Sequence, residues 1–484
     1  SLRRIVLFFM ILYPFFSLGQ DELHSRKKKA IAAYEQARSL IMMGQNAEAI
    51  TYLRTAIKKD KSFDEAILLL IQSYLQQNDQ TQATNLFRNT ADELEPKYQA
   101  KVNYDLAKFA WLSADYELAK TYTQEIRQPI YNVLPADLEL LKLSVDYALV
   151  EVKKQRDISF EALKPKMNAF DMQYFPSIDA SGRVVFTARD KRWGGDEQIF
   201  FTLDSADAWT KPQLISDKIN TGRNEGTASI AANGQAIVFT GCNRKNNVGG
   251  CDLYISNYVD GSWEEPQLLP ETINTRFWES QPALNSSGQT LFFVSTKPGK
   301  GGQDIWVSQK EEGQWQEAIS LELINTTKDD ASPFIYPDDK TLFFASNGRP
   351  GLGRFDLYKS EKAFDGWTKP ENLGAPINNA QDQIGYSVGL DGWAYFSTSL
   401  SSGRIVMNRF KFPAQLLPKT VFFQQKVTLV DENTKALLEG QVIMNFDDQL
   451  LEMTSPQQGV FSNQVSSRPS RILASARGYF SRSI

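Results

Sequence analysis

Three aspartates recur at equal spacing in glycine-rich surroundings. Asp252, Asp304 and Asp356 stand 52 residues apart, in GGCDLYIS (Gly249 to Ser256), GGQDIWVS (Gly301 to Ser308) and GRFDLYKS (Gly353 to Ser360). A carboxylate beside glycines can ligate a cation or a sugar hydroxyl. It can also accept hydrogen bonds from turn amides. A calcium loop needs several oxygen ligands at close spacing, and each copy here offers one Asp, so the second role is preferred. A repeated metal or sugar site is the alternative. A weaker copy, GGDEQIFF, starts at Gly194, and a tryptophan follows each of the four: Trp209, Trp263, Trp315 and Trp367. These rings read as packing between repeated units, with a stacking platform for a ligand as the alternative.

Four further acids, Glu279, Asp329, Asp330 and Asp382, lie near the starts of repeat units. Two such carboxylates facing a channel would be enough for glycosidase chemistry, and solvated loop acids are the plainer reading. The only histidine, His24, sits alone in a charged N-terminal segment, so a histidine-based nucleophilic triad is not expected. No phosphate-cradling GxxxxGK[ST] loop is present. No catalytic, cofactor-binding or metal-binding residue is therefore assigned, no cofactor is expected, and the chain is expected not to be an enzyme. The only two cysteines, Cys242 and Cys251, flank one loop on adjacent strands and are the candidate disulfide, with reduced thiols as the alternative.

The elements that must carry these residues follow from the period. Units of about 50 residues with several short strands each point to radially arranged blades, a β-propeller. Turn residues such as Asp179-Ala-Ser-Gly182, Ala232-Asn-Gly234 and Pro337-Asp-Asp339 separate strands rich in Phe, Val, Ile and Tyr. Each unit ends in a hydrophobic residue and Asn: Ile219-Asn220, Ile273-Asn274, Ile324-Asn325 and Ile377-Asn378. A fifth copy, Met167-Asn168, precedes the first complete unit, and the last unit lacks its own. The segment Phe160 to Met167 should therefore supply the outer strand of the last blade, giving five blades across 158–413 and pairing with Ile405 to Phe410.

Residues 25–155 change to a helical period. Ala49, Ala83 and Ala119 hold equivalent positions, 34 and 36 residues apart, each followed by an aromatic residue: Tyr52, Phe87 and Tyr122. This spacing resembles tetratricopeptide repeats, which stack into a solenoid with a concave face for a peptide or protein. A plain spacer is the alternative. Residues 420–484 return to short strands and resemble the small β-sandwich of carboxypeptidase regulatory regions. The chain stops at Ser483-Ile484 directly after a strand, so the natural protein is expected to continue.

At the other end, Arg3 and Arg4 precede an apolar run from Ile5 to Leu18. Small residues follow, so residues 1–19 read as a signal peptide cleaved between Gly19 and Gln20. The run is short for a membrane span, which needs about 20 residues. No cysteine at the cleavage point would accept a lipid. The formal net charge is −4, which argues against a nucleic-acid partner.

The order of signal peptide, tetratricopeptide-like repeats, five-bladed TolB-like propeller and regulatory-type sandwich resembles one family. These are Bacteroidota envelope proteins of the PorE type, OmpA-family accessory proteins of the type IX secretion system. The resemblance implies a non-enzymatic periplasmic scaffold linking an outer-membrane secretion or gliding machine to the cell envelope. Its partners would be PorP/SprF-like outer-membrane proteins or secretion-complex components. Peptidoglycan would be bound only through a C-terminal OmpA-like domain outside these residues. The alternative is a carbohydrate-binding or glycosidase-like five-bladed propeller.

Overall fold

The computed structural model describes residues 23–484, apart from 128, 155, 180, 206–207, 365, 390–391, 401, 415, 418–422, 432, 446–449, 455–459, 466–470, 477–478, 480–481 and 484. The proposed leader, with Gly19 and Gln20, lies outside the described residues. Contacts divide the chain into two compact units, one up to Lys142 and one from Leu143.

The first unit is helical. Helices α1 (Lys28–Met42) and α2 (Asn46–Lys59) form one hairpin, α3 (Asp64–Gln76) and α4 (Gln80–Thr90) a second, and α5 (Pro96–Leu112) and α6 (Tyr116–Gln124) a third. A seventh helix, α7 (Pro135–Glu151), begins in this unit. Ala49, Ala83 and Ala119 are fully buried. A lone methyl at these positions lets paired helices approach closely. Each hairpin turns through one left-handed residue: Gly44, Asn78 and Ala114. The side chains of Asp79 and Asp115 then cap α4 and α6, accepting from the N–H groups of Gln82 (3.0 Å) and Leu118 (3.1 Å). A tetratricopeptide solenoid is not shown. A solenoid is defined by a constant rotation between many stacked repeats, and the described residues hold three hairpins and α7.

The second unit is mostly β-sheet. Five blades each present one short inner strand to a common centre: Met172–Ile178, Asn224–Ile230, Glu279–Leu284, Asp330–Ile335 and Ser387–Val388, the first and last blades being joined into one nine-stranded sheet through Met172 and Ile405. The second and third strands run antiparallel outward, as in Thr290–Ser295 against Asp304–Glu311. Runs such as Leu291-Phe-Phe-Val294 are buried on both faces because neighbouring sheets pack against them. In four sheets two short strands, one carrying the tryptophan, complete the outer edge.

The last sheet is completed from the other end of the chain. Phe160–Ala162 pairs antiparallel with Asn408–Phe410, and Phe160 packs edge-on against Phe410 and Phe396. Beside this strand, Asn168 donates from Nδ2 to the carbonyls of Leu163 (2.9 Å) and Met407 (3.0 Å). Its Oδ1 accepts from the Met407 N–H (2.8 Å). The other four asparagines repeat the arrangement. Asn220 grips the backbone of Ile199, Asn274 that of Leu253, Asn325 that of Ile305 and Asn378 that of Leu357. A carboxamide carries one acceptor and two donors, so it can stand in for the peptide group of a neighbouring strand.

The remaining described strands build two small sheets. Phe423–Thr428 pairs with Val460–Val465, and Gly440–Asn445 is central to a four-stranded sheet. Val442 and Met444 are fully buried against Val427, Leu429, Ile472 and Ala474.

Cys242 and Cys251 are joined by a disulfide across the hairpin of the second sheet, with their Cα atoms 4.1 Å apart. Opening it by the paired change to serine should cost about 2–3 kcal/mol on the chain-entropy account for a loop of about ten residues. Denaturant midpoints of the two proteins measure this. The clasp at the closure makes a larger claim. Asn168→Ala removes three hydrogen bonds and strands the buried Met407 backbone, which should cost about 2–4 kcal/mol. It should also speed hydrogen exchange at residues 405–411 ahead of the other sheets. Unchanged exchange there would mean that the ring is held shut by something else.

Candidate functional site

The repeated aspartates are fully or almost fully buried, and each organises its own loop. Asp252 accepts from the N–H groups of Val248 (2.8 Å) and Gly249 (3.2 Å). Asp304 does the same with Lys300 and Gly301, and Asp356 with Leu352 (2.7 Å) and Gly353 (3.0 Å). Asn372 adds a third donor to Asp356 at 2.8 Å. The glycines are required by close approach. A Cβ on Gly249 would stand 2.0 Å from the Phe277 carbonyl, and one on Gly301 1.7 Å from that of Lys328. Burial pushes the carboxyls of Asp252 and Asp304 upward, and that of Asp356 to about 7.

The tryptophans pack between neighbouring sheets. Trp209 meets Tyr395 of the last sheet edge-on at 6.0 Å, and Trp367 meets Phe292 of the preceding sheet at 5.9 Å. Trp263 joins the cluster of Val185 and Ile199, and Trp315 that of Val238 and Leu253. Trp209, Trp263 and Trp315 are buried and Trp367 is half-buried.

The four acids considered for glycosidase chemistry are engaged in loop structure. Glu279 is fully buried and accepts from the Thr275 hydroxyl (2.6 Å), the Thr275 N–H (2.9 Å) and the Ser295 hydroxyl (2.7 Å). Burial raises its pKa. Asp330 accepts from Thr326 through both its N–H (2.6 Å) and its hydroxyl (2.8 Å), and pairs with Arg349 at 2.8 Å. Asp329 accepts from Asn347 at 3.1 Å, and Asp382 pairs with Arg354. Glu225 with Thr221 and Gln383 with Asn379 repeat the device. Sequence reasoning missed it, although the signal is legible: after Asn220, Asn274, Asn325 and Asn378 the next residue bonds the residue four positions on. Equivalent cations lie beside these groups. Arg244 sits 4.7 Å over the Tyr254 ring and 3.2 Å from Glu225, and Arg349 lies 5.4 Å over Phe344. In the third sheet Lys297 lies 3.8 Å over Trp306.

At the centre, Phe175, Thr227, Gln281, Ser332 and Gly385 all take positive φ, and the first four bulge their inner strands. They turn inward and leave a cavity of only ≈30 Å³. Its lining is prolines, hydroxyls, aromatic rings and one glutamine, with no carboxylate. Thr227, Thr240 and Ser280 share a hydroxyl network there. The candidate acids are thus not brought together on the axis.

The larger opening lies in the helical unit. A groove of ≈220 Å³ runs along the first helix of each hairpin. Ile41, Leu68, Leu69 and Leu75 form apolar parts of its wall, with Gln72, Gln76, Lys101 and Lys108 among its polar groups. Gln72 donates to Asp105 at 2.8 Å, and Lys101 pairs with the same carboxylate. None of these residues was singled out from the sequence. His24, read as isolated, lies 3.2 Å from Glu95 and 3.7 Å from Asp64, because packing of α3 and α5 carries both acids to the start of the helical unit.

No family model matches the chain, and no curated protein matches it. Several solved structures are similar. The β-propeller domain of the trilobed protease of Pyrococcus furiosus aligns over 65% of this chain and 97% of its own, at 9% identity and TM-score 0.27. The arabinofuranosidase PaAbf62A of Podospora anserina aligns over 52% and 95%, at 12% identity and TM-score 0.35. A puromycin-hydrolyzing peptidase of Mycobacterium tuberculosis aligns over 49% and 46%, at 13% identity and TM-score 0.30, so the chain spans less than half its length. The class is a β-propeller. The expectation that the chain is not an enzyme is corrected here, because hydrolases stand among the structures it is similar to. These neighbours stand nearer to the carbohydrate-binding or glycosidase-like alternative than to a secretion scaffold, and at such TM-scores they carry no argument about a reaction.

Asp356 generates a prediction about pH. Between 3.8 and about 7 the folded chain holds its proton and the unfolded chain does not. Its contribution to stability therefore falls as pH rises through that window, by at most about 1.4 kcal/mol per pH unit. Asp356→Asn should remove this slope, so denaturation curves of the two proteins should draw together at low pH and separate toward neutrality. Parallel curves would show that Asp356 ionises normally.

Proposed function

We propose that this chain is a docking protein of the bacterial envelope, in which the helical hairpins hold an extended segment of a partner protein. The groove carries this reading. Its apolar positions suit side chains of a peptide, while Gln76 and the linked Gln72, Asp105 and Lys101 give its wall polar groups for a peptide backbone. At ≈220 Å³ it has room for a few side chains, whereas the ≈30 Å³ propeller axis has room for little more than water.

The finer identity rests on the order of elements in the sequence. On that resemblance the hairpins are tetratricopeptide repeats, the location is the periplasm after signal cleavage, and the partner is a PorP/SprF-like outer-membrane protein or another component of a type IX-like secretion or gliding machine. Peptidoglycan would be reached through a further domain. Two modules on one chain raise the effective concentration of a second contact once the first has formed. A hydrolytic activity in the propeller is compatible with this role.

The test is a photo-crosslinking residue placed at Gln76 in the groove or at Lys59, which is exposed on α2. In cells, Gln76 should trap an outer-membrane component and Lys59 should not. Leu69→Arg should abolish the adduct while leaving helicity unchanged. Equal trapping from both positions would defeat the groove reading. Binding or cleavage of an arabino-oligosaccharide by the purified chain, with no adduct from Gln76, would put the carbohydrate alternative in its place.

A further inference from the structure

The start of the helical unit holds a cluster that the docking reading does not use. His24 precedes α1, Asp64 opens α3 and Glu95 immediately precedes α5. The Nδ1 of His24 lies 3.2 Å from Glu95 Oε1 and 3.7 Å from Asp64 Oδ2, and the three ligand atoms all fall within 4.8 Å of one another. Ligands on tetrahedral zinc at about 2.0–2.1 Å stand roughly 3.3–3.4 Å apart. The His24–Glu95 edge, at 3.2 Å, is close to the length that zinc imposes, and the His24–Asp64 edge, at 3.7 Å, is longer.

A second observation points the same way. Asp64 is fully buried, and its Oδ1 has no hydrogen-bond partner among the described residues. Its Oδ2 receives the Glu95 N–H at 3.2 Å. A buried carboxylate oxygen without a partner is costly, and a cation is the group that would satisfy it. The neighbouring charges leave an excess of acid. Lys97 reaches Glu95 Oε2 at 3.3 Å, on the oxygen turned away from His24, and Glu65 adds a further carboxylate beside the cluster. Glu65 accepts from the His24 N–H (3.2 Å) and the Tyr98 hydroxyl (2.9 Å), so it positions the histidine backbone. Ser25 and Lys27 anchor the same segment on Asp60 at 2.6 and 3.0 Å.

We propose that His24, Asp64 and Glu95 form a zinc site, with water as the fourth ligand. One imidazole and two carboxylates suit Zn²⁺ better than Mg²⁺ or Ca²⁺, which take six or more oxygens. The ion clips the residues before α1 to the N-terminal ends of α3 and α5.

The experiment uses the whole chain, purified without a histidine tag, stripped with chelator and titrated with Zn²⁺ by calorimetry. One ion per chain should bind with a Kd in the micromolar range or tighter. His24→Ala is a change at a partly exposed residue and should weaken binding at least tenfold with unaltered circular dichroism. Glu95→Gln should do the same. Co²⁺ should bind in place of zinc and develop visible d–d absorption, which His24→Ala abolishes. Absence of binding overturns the proposal, as does binding that His24→Ala and Glu95→Gln leave unchanged.

Discussion

A ring of sheets has to be closed by something other than the order of its blades. Here the last sheet contributes three strands of its own, and its outer edge comes from residues 160–162, some 250 positions earlier in the chain. The Asn168 carboxamide then completes the peptide hydrogen bonding of Met407. Without that edge the third strand of the last sheet would expose unpaired N–H and C=O groups. The same carboxamide device closes each of the other sheets, but only at Asn168 does it join the two ends of the ring. Beside it, Met172 pairs with Ile405, and Arg404 donates to the carbonyls of Asn168 and Phe170.

The buried acids of the propeller serve the same end. In a repeat architecture each connection between sheets must satisfy its own backbone groups, and carboxylates do this repeatedly. Asp252, Asp304 and Asp356 gather the amides of glycine loops, while Glu225, Glu279 and Asp330 gather those of the entry to each inner strand. Arg244, Lys297 and Arg349 lie over aromatic rings beside them. Raised carboxyl pKa values are often a mark of a catalytic site. At Asp252, Asp304, Asp356 and Glu279 burial raises them, the same device recurs from sheet to sheet, and the groups touch loop amides. That pattern assigns them to architecture.

The two units differ in the space they leave open. Among the described residues the axial cavity is narrowed by inward bulges and has no carboxylate in its lining, whereas the helical hairpins keep an open groove with mixed apolar and polar walls.

Much of the propeller was legible in the sequence because its signals are local and repeated. The period near 50 set the blades, Gly and Asp pairs set the turns, and the displaced Met167-Asn168 announced the closure. Buried tryptophans and loop-capping aspartates follow from the same repetition, since equivalent positions meet equivalent neighbours. The helical unit was legible in its hairpins, through Ala49, Ala83 and Ala119, but not in its groove. Lining residues from α1, α3 and α5 share no spacing rule, because their convergence is set by how the hairpins stack. Glu279 and Asp330 looked available for chemistry until the fold placed Thr275 and Thr326 against them. The sequence by itself determined the repeats, their turns and the strand that seals the ring, since each depends on residues close together or on an exact recurrence. Only the tertiary structure decided that His24 meets Asp64 and Glu95, because contact between distant, unrepeated residues is fixed by the packing of helices and leaves no period to read.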